Sequence, residues 1–189
     1  ALAWLAANQP AVTITSVKDA PASQPDVWRV VTGTIEVPLF LDKPEPMSPL
    51  SRDASGVVKQ NGTATVPFYA HIPNAVRDAY GPGRILCFGH GFFGTAAGEI
   101  AGSEVRKISA RLSAVVIGID WWGMSNPDQG PVANALADAP AKALAFTDRV
   151  HQAMANWMVV TAALRSTLKA TDAFKRPASG PGTSTDASG

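Results

Sequence analysis

The sequence has one cysteine, few charges and no long apolar run, and each shortage excludes a class of protein. With Cys87 alone among 189 residues, no disulfide forms within the chain and no multi-cysteine metal site can be built. Cys87 lies in the apolar run 84–88 and reads as a small buried hydrophobe, because spacing places no His or acid beside it to activate the thiol. Charged residues make up only 16% of the chain, and the 16 basic and 15 acidic ones are scattered. No basic face for nucleic acid or for an anionic membrane surface results. No apolar stretch approaches the roughly 20 residues that cross a bilayer, so no integral membrane segment is expected. The stretch 1–7 lacks the basic flank and cleavage pattern of a signal peptide. Because the chain begins at Ala1 rather than Met, it reads as missing its true start, and an export signal would lie outside it. His71, His90 and His151 show no paired-ligand spacing, so a zinc site from these three would need a tertiary coincidence. Neither a metal nor an organic cofactor is expected.

What is present suffices for one globular domain, since 46% of the residues are apolar. Val, Ile and Thr dominate 28–41, which reads as a strand with Gly33 as a bulge point and Pro38 near its end. Pro44, Pro46 and Pro49 then make 42–55 a loop. The runs 57–60 and 63–72 flank Asn61-Gly62, a pair that suits a type I′ turn and predicts a hairpin. Asn61-Gly62-Thr63 also fits a glycosylation acceptor, but the tight turn is the stronger reading. After the punctuation at 80–83, the run 84–88 reads as a buried strand. Ser103–Leu112 follows as a helix with Val105, Ile108 and Leu112 on one face and Glu104 in the first turn. Ala114–Ile119 is a strand of the kind covered on both faces, which completes a right-handed βαβ unit. The longest helical pattern is 147–170, with Val150, Met154, Trp157, Met158 and Leu164 as its sheet-facing members. From Lys175 onward Pro, Gly, Ser and Thr dominate. The expected organisation is therefore a domain over 1–174 and a disordered tail over 175–189, without internal repeats.

The segment most loaded with chemistry is Gly89-His90-Gly91-Phe92-Phe93-Gly94, between the strand at 84–88 and a helix. Three glycines in six residues let a backbone turn sharply and bring N–H groups close to a ligand. An ordinary strand-to-helix turn accounts for the spacing equally well. The segment resembles the His-Gly-x-x-Gly loop of α/β-hydrolase-fold serine hydrolases of the bacterial lipase and esterase kind. Ile35-Glu36-Val37-Pro38-Leu39-Phe40-Leu41 and the run from Val116 to Gly123 extend that resemblance.

The resemblance implies the N-terminal part of an α/β-hydrolase fold, an antiparallel hairpin leading into a parallel βαβ sheet with covering helices. It implies that the Phe92 N–H is an oxyanion donor, that His90, Gly91, Phe93 and Gly94 shape the loop, and that His90 is structural rather than a base. Trp121 and Trp122 fit either an apolar acyl pocket or plain packing. Asp120 sits where open α/β sheets place functional acids, though a turn-former is the commoner reading. No Gly-x-Ser-x-Gly is present. Ser125, in Gly123-Met124-Ser125-Asn126-Pro127, reads as a loop serine, so nucleophile, acid and base are expected outside the chain. The implied function is the front portion of a serine-dependent hydrolase of small carboxylic esters. The alternatives are an inactive remnant or complementing fragment and, further off, an unrelated binding domain. In the resembled fold the third strand is flanked by the fourth and fifth. With the fifth absent, 84–88 would present an open edge and favour self-association.

Overall fold

The computed structural model describes residues 1–79 and 82–176. In chain order the elements are α1 (Leu2–Ala7), β1 (Val12–Asp19), β2 (Val27–Pro38), β3 (Thr63–Pro73), α2 (Asn74–Asp78), β4 (Arg84–Cys87), α3 (Ala96–Ile100), α4 (Ser103–Leu112), β5 (Ala114–Ile119), α5 (Asn126–Asp138) and α6 (Leu144–Arg165). The strands form one sheet in the order β1-β2-β3-β5-β4. Only β4 and β5 run parallel, and α3 and α4 lie in their connection. The molecule is thus an α/β protein with a mixed sheet. Residues 177–189, most of the expected tail, and residues 80–81 of the punctuation lie outside the described residues.

Side chains alternate across the sheet, so its two faces build two cores. Val31, Ile35 and Val37 of β2, Val66, Phe68, Ala70 and Ile72 of β3, and Val115, Ile117 and Ile119 of β5 join Val159, Val160 and Ala163 of α6 in the larger one. On the other face Val116 meets Ala96 and Ile100 of α3, with Tyr69, Leu86 and Val105 at the margin. All of β5 is buried, as its unbroken Val/Ile pattern predicts. Gly118 makes this possible: a Cβ there would lie 2.8 Å from Ile100 Cδ1 and 2.8 Å from the Phe88 carbonyl oxygen, too close for α3 to pack.

The structure departs from the sequence expectations in five places. Asn61-Gly62 does not close a hairpin between 57–60 and 63–72. Gly62 does take a positive φ of 83°, but β3 pairs along its whole length with β2. That register sets Val31, Ile35 and Val37 of β2 beside Ala70, Val66 and Ala64 of β3 on the face covered by the main core, whereas Val57 and Val58 remain exposed and Val58 bridges only Arg52. Asn61 instead ties the long connection down, donating from Nδ2 to the carbonyls of Leu41 and Asp42. The bulge expected at Gly33 falls on its partner, where the register of β1 slips between Ile14 and Ser16.

The strand read as buried over 84–88 is β4, an edge strand paired with β5 alone, and Cys87 on it is exposed rather than buried. Neighbouring groups still desolvate the thiol enough to push its pKa up, which keeps it protonated. Finally, α6 does not pack through Met154 and Met158, both of which are exposed. Its inner face carries Arg149, Gln152, Ala153, Asn156, Val159, Val160, Ala163 and Leu164. These are shorter or polar residues, and Gln152 bridges the helix to the sheet by donating to the Pro38 carbonyl and accepting from the Phe40 N–H. Likewise Ile108 and Leu112 of α4 are exposed, leaving Val105 to meet the core.

Candidate functional site

The ladder between β4 and β5 ends where the Phe88 N–H donates to the Ile117 carbonyl at 2.8 Å, and the glycine-rich loop begins there. Its tip is a tight turn closed by the Gly94 N–H on the Gly91 carbonyl at 2.9 Å. Phe93 holds the third position of that turn with φ 61°, while Phe92 is not left-handed, the pattern of a type II turn. That position ordinarily takes glycine, so Phe93 stores local strain that the surroundings must hold. The restraint comes from the segment after β5. The Phe93 N–H donates to the Met124 carbonyl at 2.7 Å, and the Asn126 N–H donates to the Gly94 carbonyl at 3.0 Å. From α3, Glu99 reaches back so that its Oε1 accepts the Gly91 N–H at 2.7 Å.

These bonds occupy the amides of Gly91, Phe93 and Gly94. Among the described residues the Phe92 N–H has no partner, and its side chain is 64% exposed. The stricter of the loop glycines is Gly94: a Cβ there would lie 2.3 Å from Glu99 Oε1 and 3.1 Å from the Gly91 carbonyl oxygen, whereas at Gly91 the same atom of Glu99 would be 3.3 Å away.

His90 ties the loop to the segment after β5. Its Nε2 accepts the Trp121 N–H at 2.8 Å, which places the ring proton on Nδ1, 2.7 Å from the Gly91 carbonyl. Both ring nitrogens are therefore engaged, which suits a structural histidine. Trp121 lies beside the loop, close enough to Gly89 that a Cβ there would sit 3.0 Å from the indole nitrogen. With Cys87, Gly89 and Trp157 it lines a shallow cleft of about 180 Å³. Trp122 is elsewhere, buried in the main core with the Arg149 guanidinium stacked 4.4 Å from its ring centre. It does not line that cleft.

The rigidity of the second segment comes from a buried hub that sequence reasoning missed. Asp128 Oδ2 accepts from the Gly123 N–H (2.8 Å), the Ser125 N–H (3.2 Å) and the Ser125 hydroxyl (2.7 Å), while Oδ1 accepts from Arg149 Nε at 2.7 Å. Arg149 Nη1 also donates to the Pro44 carbonyl. Desolvation pushes the Arg149 pKa down, and the adjacent Asp128 charge opposes that. Ser125 is buried at the N-cap of α5 with its hydroxyl donating to Asp128, the arrangement of a helix-capping serine. The legible signal was the spacing Ser125-x-x-Asp128 with Pro127 between, the signature of a helix start. Asp120 has a comparable anchoring role, accepting the Ala96 N–H of α3 at 2.8 Å.

The other histidines stay apart from the loop. His71 is buried on β3 and His151 is exposed on α6. Among the described residues no three His, Cys, Asp or Glu side chains come together to hold a metal, and no helix is long and apolar enough to cross a membrane. Neither family models, nor curated proteins, nor solved structures give a match to this chain. The loop's geometry must therefore stand alone as the guide to its chemistry.

Proposed function

We propose that this chain supplies the oxyanion-hole portion of an α/β-hydrolase-fold, serine-dependent carboxylic-ester hydrolase, with nucleophile, acid and base contributed from outside these 189 residues. One observation carries the reading. Within the turn Gly91–Gly94, where the other three amides are bonded, the amide left without a partner among the described residues is that of Phe92, the one the sequence resemblance selects. A preorganised donor held in a strained, tightly restrained turn costs no reorganisation when negative charge develops on a bound carbonyl oxygen. The strand order is compatible with the same reading, since β4 borders β5 on one side and has no neighbour on the other. The cleft beside Trp121 offers an apolar wall at the start of the same loop, at Gly89.

On its own the chain should be inert, because its one candidate serine is consumed by Asp128. Two measurements test the proposal. In amide hydrogen exchange, Phe92 should exchange freely while Gly91, Phe93 and Gly94 are protected. Purified chain should not turn over a short-chain p-nitrophenyl ester, and turnover abolished by Ser125→Ala would place the nucleophile within the chain and overturn the assignment. A protected Phe92 amide would remove the donor itself.

A further inference from the structure

At the opposite end of β4 and β5 from the glycine loop, the amino ends of both strands open onto a second pocket. Its volume is about 360 Å³, and its wall includes Arg84, Arg111, Ser113 and Arg176. No acidic side chain lines it. Arg84 begins β4 and Arg111 ends α4, both exposed. Arg176 differs from them. It is only 7% exposed, and none of Nε, Nη1 and Nη2 has a hydrogen-bond partner among the described residues.

A guanidinium cannot shed its proton to escape burial, and it carries five donors that water no longer satisfies. A buried charge in a native protein is ordinarily paired, because an uncompensated one is strongly destabilising. The partial negative charge at the pocket wall is the carboxyl end of α4 at Leu112, whose dipole amounts to about −0.5 of a charge. Three full positive charges exceed that several-fold. Asp78, in the neighbouring helix α2, is already paired with Arg77 at 2.7 Å and does not line the pocket. Among the described residues the pocket is thus a concave cluster of three guanidiniums with no acidic side chain in its wall, one of them buried and unpaired.

We propose that this pocket binds a dianionic phosphoryl group, with Arg176 as the buried anchor and Arg84 and Arg111 closing over it from the rim. Guanidinium is the group best matched to phosphoryl oxygens, because its planar fork donates two parallel bonds to them. The excess of positive charge favours a dianion over a single carboxylate. The volume exceeds that of the group itself, leaving room for a small organic molecule to carry it. The inference concerns a site separate from the glycine loop and does not depend on the proposed hydrolase chemistry.

The test is binding of inorganic phosphate to the chain at matched ionic strength, followed by calorimetry and by thermal unfolding, with acetate as the monoanion control and glycerol 3-phosphate as the ester probe. Phosphate should bind saturably and raise the melting temperature with its concentration, as a native-state ligand must. Acetate should not. Arg176→Met should weaken phosphate binding roughly tenfold or more, while in phosphate-free buffer it should melt no lower than wild type, since it removes an unpaired buried charge. The double change Arg84→Gln with Arg111→Gln alters only exposed residues and should also weaken binding. Tighter binding of glycerol 3-phosphate than of phosphate would identify an ester as the ligand, and the reverse would identify the free ion. No saturable phosphate binding in the millimolar range, acetate binding as tightly as phosphate, or undiminished binding by Arg176→Met would each overturn the proposal.

Discussion

Replacing His71 with leucine should remove most of one specific acid sensitivity of this fold. His71 sits on β3 between Val30 of β2 and Val116 of β5, with 1% of its surface exposed and neither ring nitrogen hydrogen-bonded. Burial depresses its pKa from 6.5 to about 4; the Ile100 backbone works in the opposite sense without forming a bond of ordinary geometry, and the Arg106 charge adds to the depression. The folded pKa lies below the unfolded one, so the unfolded chain takes up the proton first as pH falls. Stability is therefore intact above the unfolded value and is lost progressively through pH 6.5 to 4. The loss from this one group amounts to about 2 kcal/mol at pH 5 and about 3 kcal/mol at pH 4. Urea unfolding followed by tryptophan fluorescence, run across that range on wild type and His71→Leu, isolates the term, because the carboxylates common to both proteins cancel. At pH 7 the variant should match or exceed wild type by about 1 kcal/mol, since it removes a buried polar ring without partners. Parallel stability curves for the two proteins would refute the argument, as would a variant much weaker at neutral pH.

Three other outcomes follow from the packing. Asp128→Ala strands the buried Arg149 charge and three donors, and should cost about 3–5 kcal/mol in chemical unfolding, whereas Ser125→Ala, which removes one capping hydroxyl, should cost about 1 kcal/mol. Gly94→Ala drives a Cβ against Glu99 and the Gly91 carbonyl, and should lower the melting temperature more than Gly91→Ala, whose only close neighbour is the end of the Glu99 side chain. The unpaired edge of β4, together with exposed Met154 and Met158 on α6, should cause concentration-dependent self-association, visible as broad elution in size exclusion or as ANS binding. A monodisperse chain silent to the dye would show that this edge is adequately protected.

Elements whose pattern is dominated by burial were legible in the sequence. The unbroken Val/Ile run gave β5 with its bounds, and α4 matches the expected Ser103–Leu112 although Ile108 and Leu112 of its expected face are exposed. What failed was anything decided between elements. Asn61-Gly62 carries a strong local turn preference, yet the pairing partner of β3 was chosen by the longer register with β2. Met154 and Met158 of α6 looked like part of a core face by hydrophobicity, but close approach to the sheet selected Ala153, Ala163 and the bridging Gln152 there, while Trp157 and Leu164 do pack against the core as expected. β1 was overlooked although Val12, Ile14 and Val17 are suited to a strand, because an edge strand buries only one side and shows a weak pattern. At the glycine loop the sequence indicated a sharp turn. It could not indicate that Glu99, Trp121 and Met124 immobilise it, since those partners come from α3 and from the segment after β5.

The 24 residues numbered 39 to 62 between β2 and β3 have a consequence for how the protein reaches this structure. Bringing the strands together across such a span costs about 2 kcal/mol more in closure entropy than a two-residue turn. The pair therefore cannot zip up from its tip. Besides its own internal bonds, among them the Leu39 N–H to the Gly62 carbonyl and the Asn61 N–H to the Leu39 carbonyl, the span is fastened from α6, where Gln152 accepts the Phe40 N–H, Asp148 accepts the Leu50 N–H and Arg149 donates to the Pro44 carbonyl. The α6 groups are thus synthesised about a hundred residues after the segment they hold. Until α6 is made the span has only its own internal bonds, and the barrier to folding should contain α6 docked on β2.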